Sequence, residues 1–151
     1  MQVRIRPGAK HHTEAFARFH RVACDKSFDD GGNDTGMTPE ELMLCALGSS
    51  AMQRAVAYLR SRGMSLDGVE LRVSAEPSGS GMGEITIDVE APGLTARKRE
   101  AVLRSVDASP VYQTLIHSHP VRLGMLTEVA EKAEEVLSDP DDGGVAHITS
   151  N

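Results

Sequence analysis

The chain has 151 residues, a net charge of −6 and 40% hydrophobic residues, enough for one domain with a real core. The acidic balance speaks against nucleic acid or an anionic membrane as an obligate partner, and no unbroken apolar run approaches the roughly 18 residues of a membrane span. The opening MQVRIRPG lacks the apolar stretch of a secretory signal, and two cysteines, Cys24 and Cys45, are too few for a disulfide framework and point to a reducing cytoplasm.

In chain order, Met1 to Cys24 reads as a β-hairpin. Val3 and Ile5 alternate with Arg4 and Arg6, Pro7-Gly8 opens a turn, and Ala15, Ala17 and Phe19 alternate with polar neighbours. Asp25 to Met37 has no period and holds Gly31, Gly32 and Gly36, which reads as a loop. Thr38-Pro39-Glu40-Glu41 then combines a Thr N-cap, Pro at the first helical position and Glu at N3, the signature of a capping box. The helix it starts runs to about Arg62, where Gly63 supplies a left-handed C′ position. At about 1.5 Å per residue it spans more than roughly 35 Å. Between Leu42 and Leu47 it is apolar all round, so it needs cover on all sides, more than one small sheet offers.

A second hairpin follows. Val69, Leu71, Val73 and Ala75 alternate with Glu70, Arg72 and Ser74, and Ile85, Ile87 and Val89 with Glu84, Thr86, Asp88 and Glu90. The pattern predicts strands with one buried and one solvated face. The connector Glu76 to Gly83 reads as a glycine-rich loop. A helix is expected from about Thr95 to Asp107 with Val102, Leu103 and Val106 inward, then a short helix from Pro110. Alternating Val121, Leu123 and Met125 read as a strand, and Glu128 to Leu137 as helical. The expected organisation is a single domain over residues 1–137 with a disordered tail over 138–151.

The stretch GGNDTGMTPEELMLCALGSSAM (Gly31 to Met52) and the later SPVYQTL (Ser109 to Leu115) resemble the two signature segments of the OsmC/Ohr family, the osmotically induced and organic-hydroperoxide-resistance proteins. The order of a GG-x-D-x-G loop, a capped PEEL helix, a strand pair and an x-P-V-x-x-T-L turn carries the resemblance, over roughly His20 to Leu126. It implies an α+β fold in which antiparallel sheets wrap around a long central helix, within an intertwined homodimer. In the peroxidase members a helix cysteine attacks the terminal peroxide oxygen and becomes a sulfenic acid; a second cysteine, at a Cys-Pro-Val motif, then closes a disulfide. Ser50 and Ser109 stand at those positions here. A serine hydroxyl has a far higher pKa than a thiol and no accessible sulfenic-like state, so this pair cannot run that cycle.

The two cysteines present do not replace the pair. Cys45 lies five residues before Ser50, about 140° round the helix and about 7.5 Å along it, among Leu42, Leu44, Ala46 and Leu47. Core filler is the expectation there. Cys24 ends a strand near Asp25 and Asp29, whose charge disfavours a thiolate. Ser109 before Pro110 is a standard helix start, Ser N-cap with Pro at N1. Ser50 sits among Gly48, Ser49 and Ala51, where small residues suit close packing or a ligand. GSSAM is not a nucleophile elbow.

Glu40 matches the position of a functional glutamate in the resembled peroxidases, although an acid in a first turn also suits the helix dipole. Arg18 and Arg21 are candidates for those enzymes' N-terminal arginine, with no motif to fix either. His117 and His119 form a His-x-His pair without a third ligand at useful spacing, so no metal or cofactor is expected.

Three functions follow from these residues. The first is a small apolar ligand bound at a dimer interface, in a pocket built from Ser50, Met52, Ser109, Tyr112 and Leu115. The second is a diverged hydroperoxide-detoxifying enzyme. The third is a structural or regulatory dimer with a filled pocket.

Overall fold

In the computed structural model, residues 1–79 and 81–124 are described. Residues Met1–Ser118 form a compact unit. Its elements are β1 (Arg4–Pro7), β2 (Thr13–Ala17), β3 (His20–Cys24), α1 (Pro39–Ser61), β4 (Glu70–Ser78), β5 (Gly81–Glu90), α2 (Ala96–Asp107) and α3 (Pro110–Ile116). The architecture is α+β, with one antiparallel sheet ordered β1-β2-β3 and a second made of β4 and β5.

The expected N-terminal hairpin is a three-stranded meander. The alternation through Ala15, Ala17 and Phe19 is cut by a tight turn at Arg18 and Phe19, where Arg18 has a φ of 56° and Ala17 pairs with His20. Arginine carries no turn signal, so the break was invisible in the pattern. Ile5, Ala15 and Val22 stand opposite one another on one face of this sheet, and Arg4, Phe16 and Arg21 on the other. Ile5 and Val22 are exposed.

Both ends of α1 follow from sequence chemistry. The Glu41 amide donates to Thr38 Oγ1 at 3.2 Å, and the Thr38 amide donates to Glu41 Oε2 at 2.8 Å. At the other end Gly63 adopts a φ of 62°, its amide bonding to the Arg60 carbonyl and that of Met64 to the Leu59 carbonyl. These two bonds form a Schellman motif and satisfy carbonyls the last turn leaves open.

The core is the contact of α1 with α2 and the β4–β5 sheet. Leu47, Ala51, Ala55 and Leu59 form the buried stripe of α1, at i, i+4 spacing. Ala51, Ala55 and Leu59 pack with Val102 and Val106 of α2, and Leu71, Ile87 and Val89 close against them. Gly48 lets the sheet approach, since a Cβ there would lie 3.0 Å from Val73 Cγ2. The rest of α1 is half-buried or exposed in the single chain, and Cys45, expected in the core, is exposed. Its Sγ lies 3.6 Å from Met37 Sδ. Among the described residues, α1 is the one helix whose length and mean hydropathy would suffice to cross a membrane.

Three further expectations need correction. The glycine-rich connector is mostly strand: β4 and β5 pair through Pro77 with Met82 and Ser78 with Gly81, past an irregularity between Ala75 and Pro77. A bulge absorbs the extra residue without ending the ladder. Leu103 is exposed, because the 3.6-residue period turns it away from the line of Val102 and Val106. Residues 121–124 form no strand, and Val121 and Leu123 are fully exposed; alternation without a hydrogen-bonding neighbour does not make one. The expectations for Met125, the 128–137 helix and the 138–151 tail lie outside the described residues.

Candidate functional site

Ser50 meets the first turn of α3, the helix whose N-cap position is Ser109. Ser50 Oγ accepts a 3.4 Å hydrogen bond from the backbone amide of Val111, two residues after Ser109. Ser109 holds the N-cap position of α3 and Pro110 its first turn, as the Ser-Pro pair predicts. The Ser109 hydroxyl does not cap the helix, however. It is completely buried and has no hydrogen-bond partner among the described residues. A buried hydroxyl without a partner is a costly group.

Tyr112 and Leu115 flank a cleft of about 210 Å³ with Leu47, Ile85, Ile87 and Ile116. Leu47 is about one turn before Ser50 on α1, and neither Ser50 nor Ser109 lines this cleft. Leu115 and Ile116 are exposed. Met52 is not brought to it. It lines a different groove, of about 500 Å³, with Leu44, Cys45, Gly48, Leu71 and Val73. Glu40 is apart from both, in a polar cleft of about 430 Å³ that also includes His11, Cys24, Asp25 and Thr38. The single chain therefore separates Glu40 from Ser50, as their positions along one helix require.

That polar cleft contains the group sequence reasoning missed. Asp25 is buried, 1% exposed. Its Oδ2 accepts from the Thr35 hydroxyl at 2.8 Å and from the Asn33 and Thr35 amides, and its Oδ1 accepts from the Lys26 amide at 2.8 Å. The Thr35 hydroxyl bond, helped by the amides, holds the carboxyl down at about 2 against an ordinary 3.8, although burial acts the other way. His12 Nδ1 lies 2.9 Å from Thr35 Oγ1, and Lys10 Nζ donates to Asn33 Oδ1 at 3.1 Å, so the turn after β1 is tied to the same loop. The signal was the Asp at a strand end followed by Asn33 and Thr35 in a glycine-rich segment. Cys24, beside it, is buried. Arg21 is engaged with Glu14 at 3.0 Å. The His117 ring nitrogen Nδ1 is 2.9 Å from the Gln113 carbonyl.

A model of the OsmC-like protein family matches residues 31–124. No curated protein sequence matches the chain. Solved structures with a similar fold include a protein from Psychrobacter arcticus 273-4 named for osmotic stress induction and a detoxification response, with 15% identity, TM-score 0.68, and coverage of 80% of this chain and 89% of that one. An OsmC-like protein from Mycoplasma pneumoniae has 14% identity and TM-score 0.65, with 76% and 86% of the two chains covered. The organic hydroperoxide resistance protein OhrB of Bacillus subtilis has 18% identity and TM-score 0.53, with 74% and 87% covered.

Proposed function

The chain belongs to the OsmC-like protein family, and on that premise we propose that it uses the family fold to bind a small apolar ligand beside Ser50 and Ser109, without thiol peroxidase chemistry. The observation that carries this reading is the apolar cleft lined by Leu47 of α1, Ile85 and Ile87 of β5, and Tyr112 and Leu115 of α3, about one turn of α1 from Ser50. Hydroxyls at these two positions donate and accept hydrogen bonds, but neither becomes a thiolate or a sulfenic acid. A ligand with a hydrocarbon body fits the walls.

Neither cysteine offers the missing chemistry. A reactive thiol needs an accessible, electropositive setting. Cys24 is buried beside the Asp25 carboxylate, and Cys45, although exposed, faces the Met37 thioether in a groove that no lysine, arginine or histidine among the described residues lines. The bound state we propose is a homodimer, since the uncovered side of α1 and the Ile5–Val22 face of the first sheet both need apolar cover.

The geometry of the proposed site is tested by restoring the thiols. The double variant Ser50→Cys, Ser109→Cys is nearly isosteric and is expected to fold and to form one internal disulfide on mild oxidation, read as a two-thiol loss by mass spectrometry after alkylation. Disulfide formation requires Cα atoms within about 7 Å. A folded double variant that keeps both new thiols free under oxidant would show that the two positions do not share a site.

A further inference from the structure

The cleft under Tyr112 extends beyond the part described above. Its inner part is apolar. An adjoining part, of about 310 Å³, shares Ile85, Ile87 and Tyr112 and adds Leu103, Val106, Glu84 and Asp107. Among the described residues no lysine, arginine or histidine lines either part, and neither Glu84 nor Asp107 enters an ion pair. Arg104, three residues before Asp107, is held by Glu100 at 2.8 Å. The cleft thus has an apolar floor, an aromatic ring and unpaired negative charge at its rim.

Asp107 is the last residue of α2. Carboxylates are disfavoured at a helix C-terminus, where the open carbonyls already carry partial negative charge. Its charge therefore opposes α2, although it also stands two residues before the N-cap of α3, whose N-terminus suits a carboxylate. Glu84 lies exposed on β5 and lines the same part of the cleft as Asp107.

We infer that this cleft takes an amphiphile with a short hydrocarbon chain and an ammonium head, the chain against Ile85, Ile87 and Leu115 and the head between Asp107 and the Tyr112 ring. The inference rests on the apolar-ligand reading and names the chemistry of its head group. An ammonium gains from both partners, by Coulomb attraction to the carboxylate and by cation–π contact with the ring. A carboxylate head would meet like charge with no cation to pair it. The inner volume lies below the range of drug-sized pockets, which favours a short chain.

The test compares three ligands of one chain length, n-octylammonium, n-octanol and n-octanoate. Each is titrated calorimetrically into the full-length protein at neutral pH and low salt, below its micellar concentration. Octylammonium is expected to bind about tenfold more tightly than octanoate, with octanol between them, and added salt is expected to narrow the difference. Asp107→Asn should remove most of that preference while leaving the melting temperature unchanged or raised, and Glu84→Gln should have a smaller effect. Octanoate binding as tightly as octylammonium, with octanol also bound, overturns the ammonium assignment and leaves the apolar-ligand reading intact. A preference that persists in a stably folded Asp107→Asn protein, or a clear loss of stability in that variant, also overturns it. If none of the three binds, both readings fail, and the cleft passes to a second copy of the chain as the remaining cover.

Discussion

Asp25 illustrates how a single residue can order a segment that periodicity leaves shapeless. Four donors converge on its carboxylate from Lys26, Asn33 and Thr35, and the 25–37 loop closes around it. Its carboxyl is held at about 2 against an ordinary 3.8, so the charged form is favoured in the folded state. The stability this group contributes is fully present above pH 3.8 and is lost as pH falls through about 2. Denaturant unfolding across that window should show the wild type losing stability more steeply than Asp25→Asn, which is already weakened at neutral pH. Identical slopes for the two proteins would remove Asp25 from this role. Ser50 and Ser109 belong to the same scale. Ser50 meets the backbone of α3 at Val111, and no local pattern indicates that Ser109 would sit at an N-cap without capping.

Among the elements, α1 was the most legible because its ends are written in specific chemistry. Thr38, Pro39 and Glu41 mark the start and Gly63 the end. Thr38→Ala removes the hydroxyl that accepts from the Glu41 amide and should destabilise the protein by about 1 kcal/mol, measured by chemical denaturation. A loss near zero would mean that tertiary packing alone fixes the helix start. The strands were less legible, for identifiable reasons. Arg18 turns the chain at a positive φ that glycine or asparagine would have announced. The glycines after Glu76 looked like a loop, yet a bulge carries the β4–β5 ladder through them. Leu103 fits the apolar composition of α2 and still faces outward, since only a 3.6-residue line from Val102 to Val106 reaches α1. The apolar cleft was half legible: Tyr112 and Leu115 share it, while Met52 belongs to another groove because it lies on a different side of α1.

At the scale of the whole molecule, the single chain leaves too much apolar surface in water. Ile5, Val22 and Met37 are all exposed, and the membrane-length window of α1 is only 22% buried. Exposed apolar area of this extent marks an interaction surface, and a second copy of α1 is the simplest complement to an all-round apolar helix. Sedimentation velocity at micromolar concentration is expected to show a dimer, and a stable folded monomer would refute that assembly. The central proposal, however, is chemical: this chain keeps the family fold and works without thiol peroxidase chemistry. It is tested most directly by following tert-butyl and cumene hydroperoxide consumption by the wild-type protein with dithiothreitol or a lipoyl-type reductant. The account predicts consumption no faster than that of the reductant alone. Rapid consumption by the wild type that disappears in Cys45→Ala would contradict it and make this chain a peroxidase with a displaced cysteine.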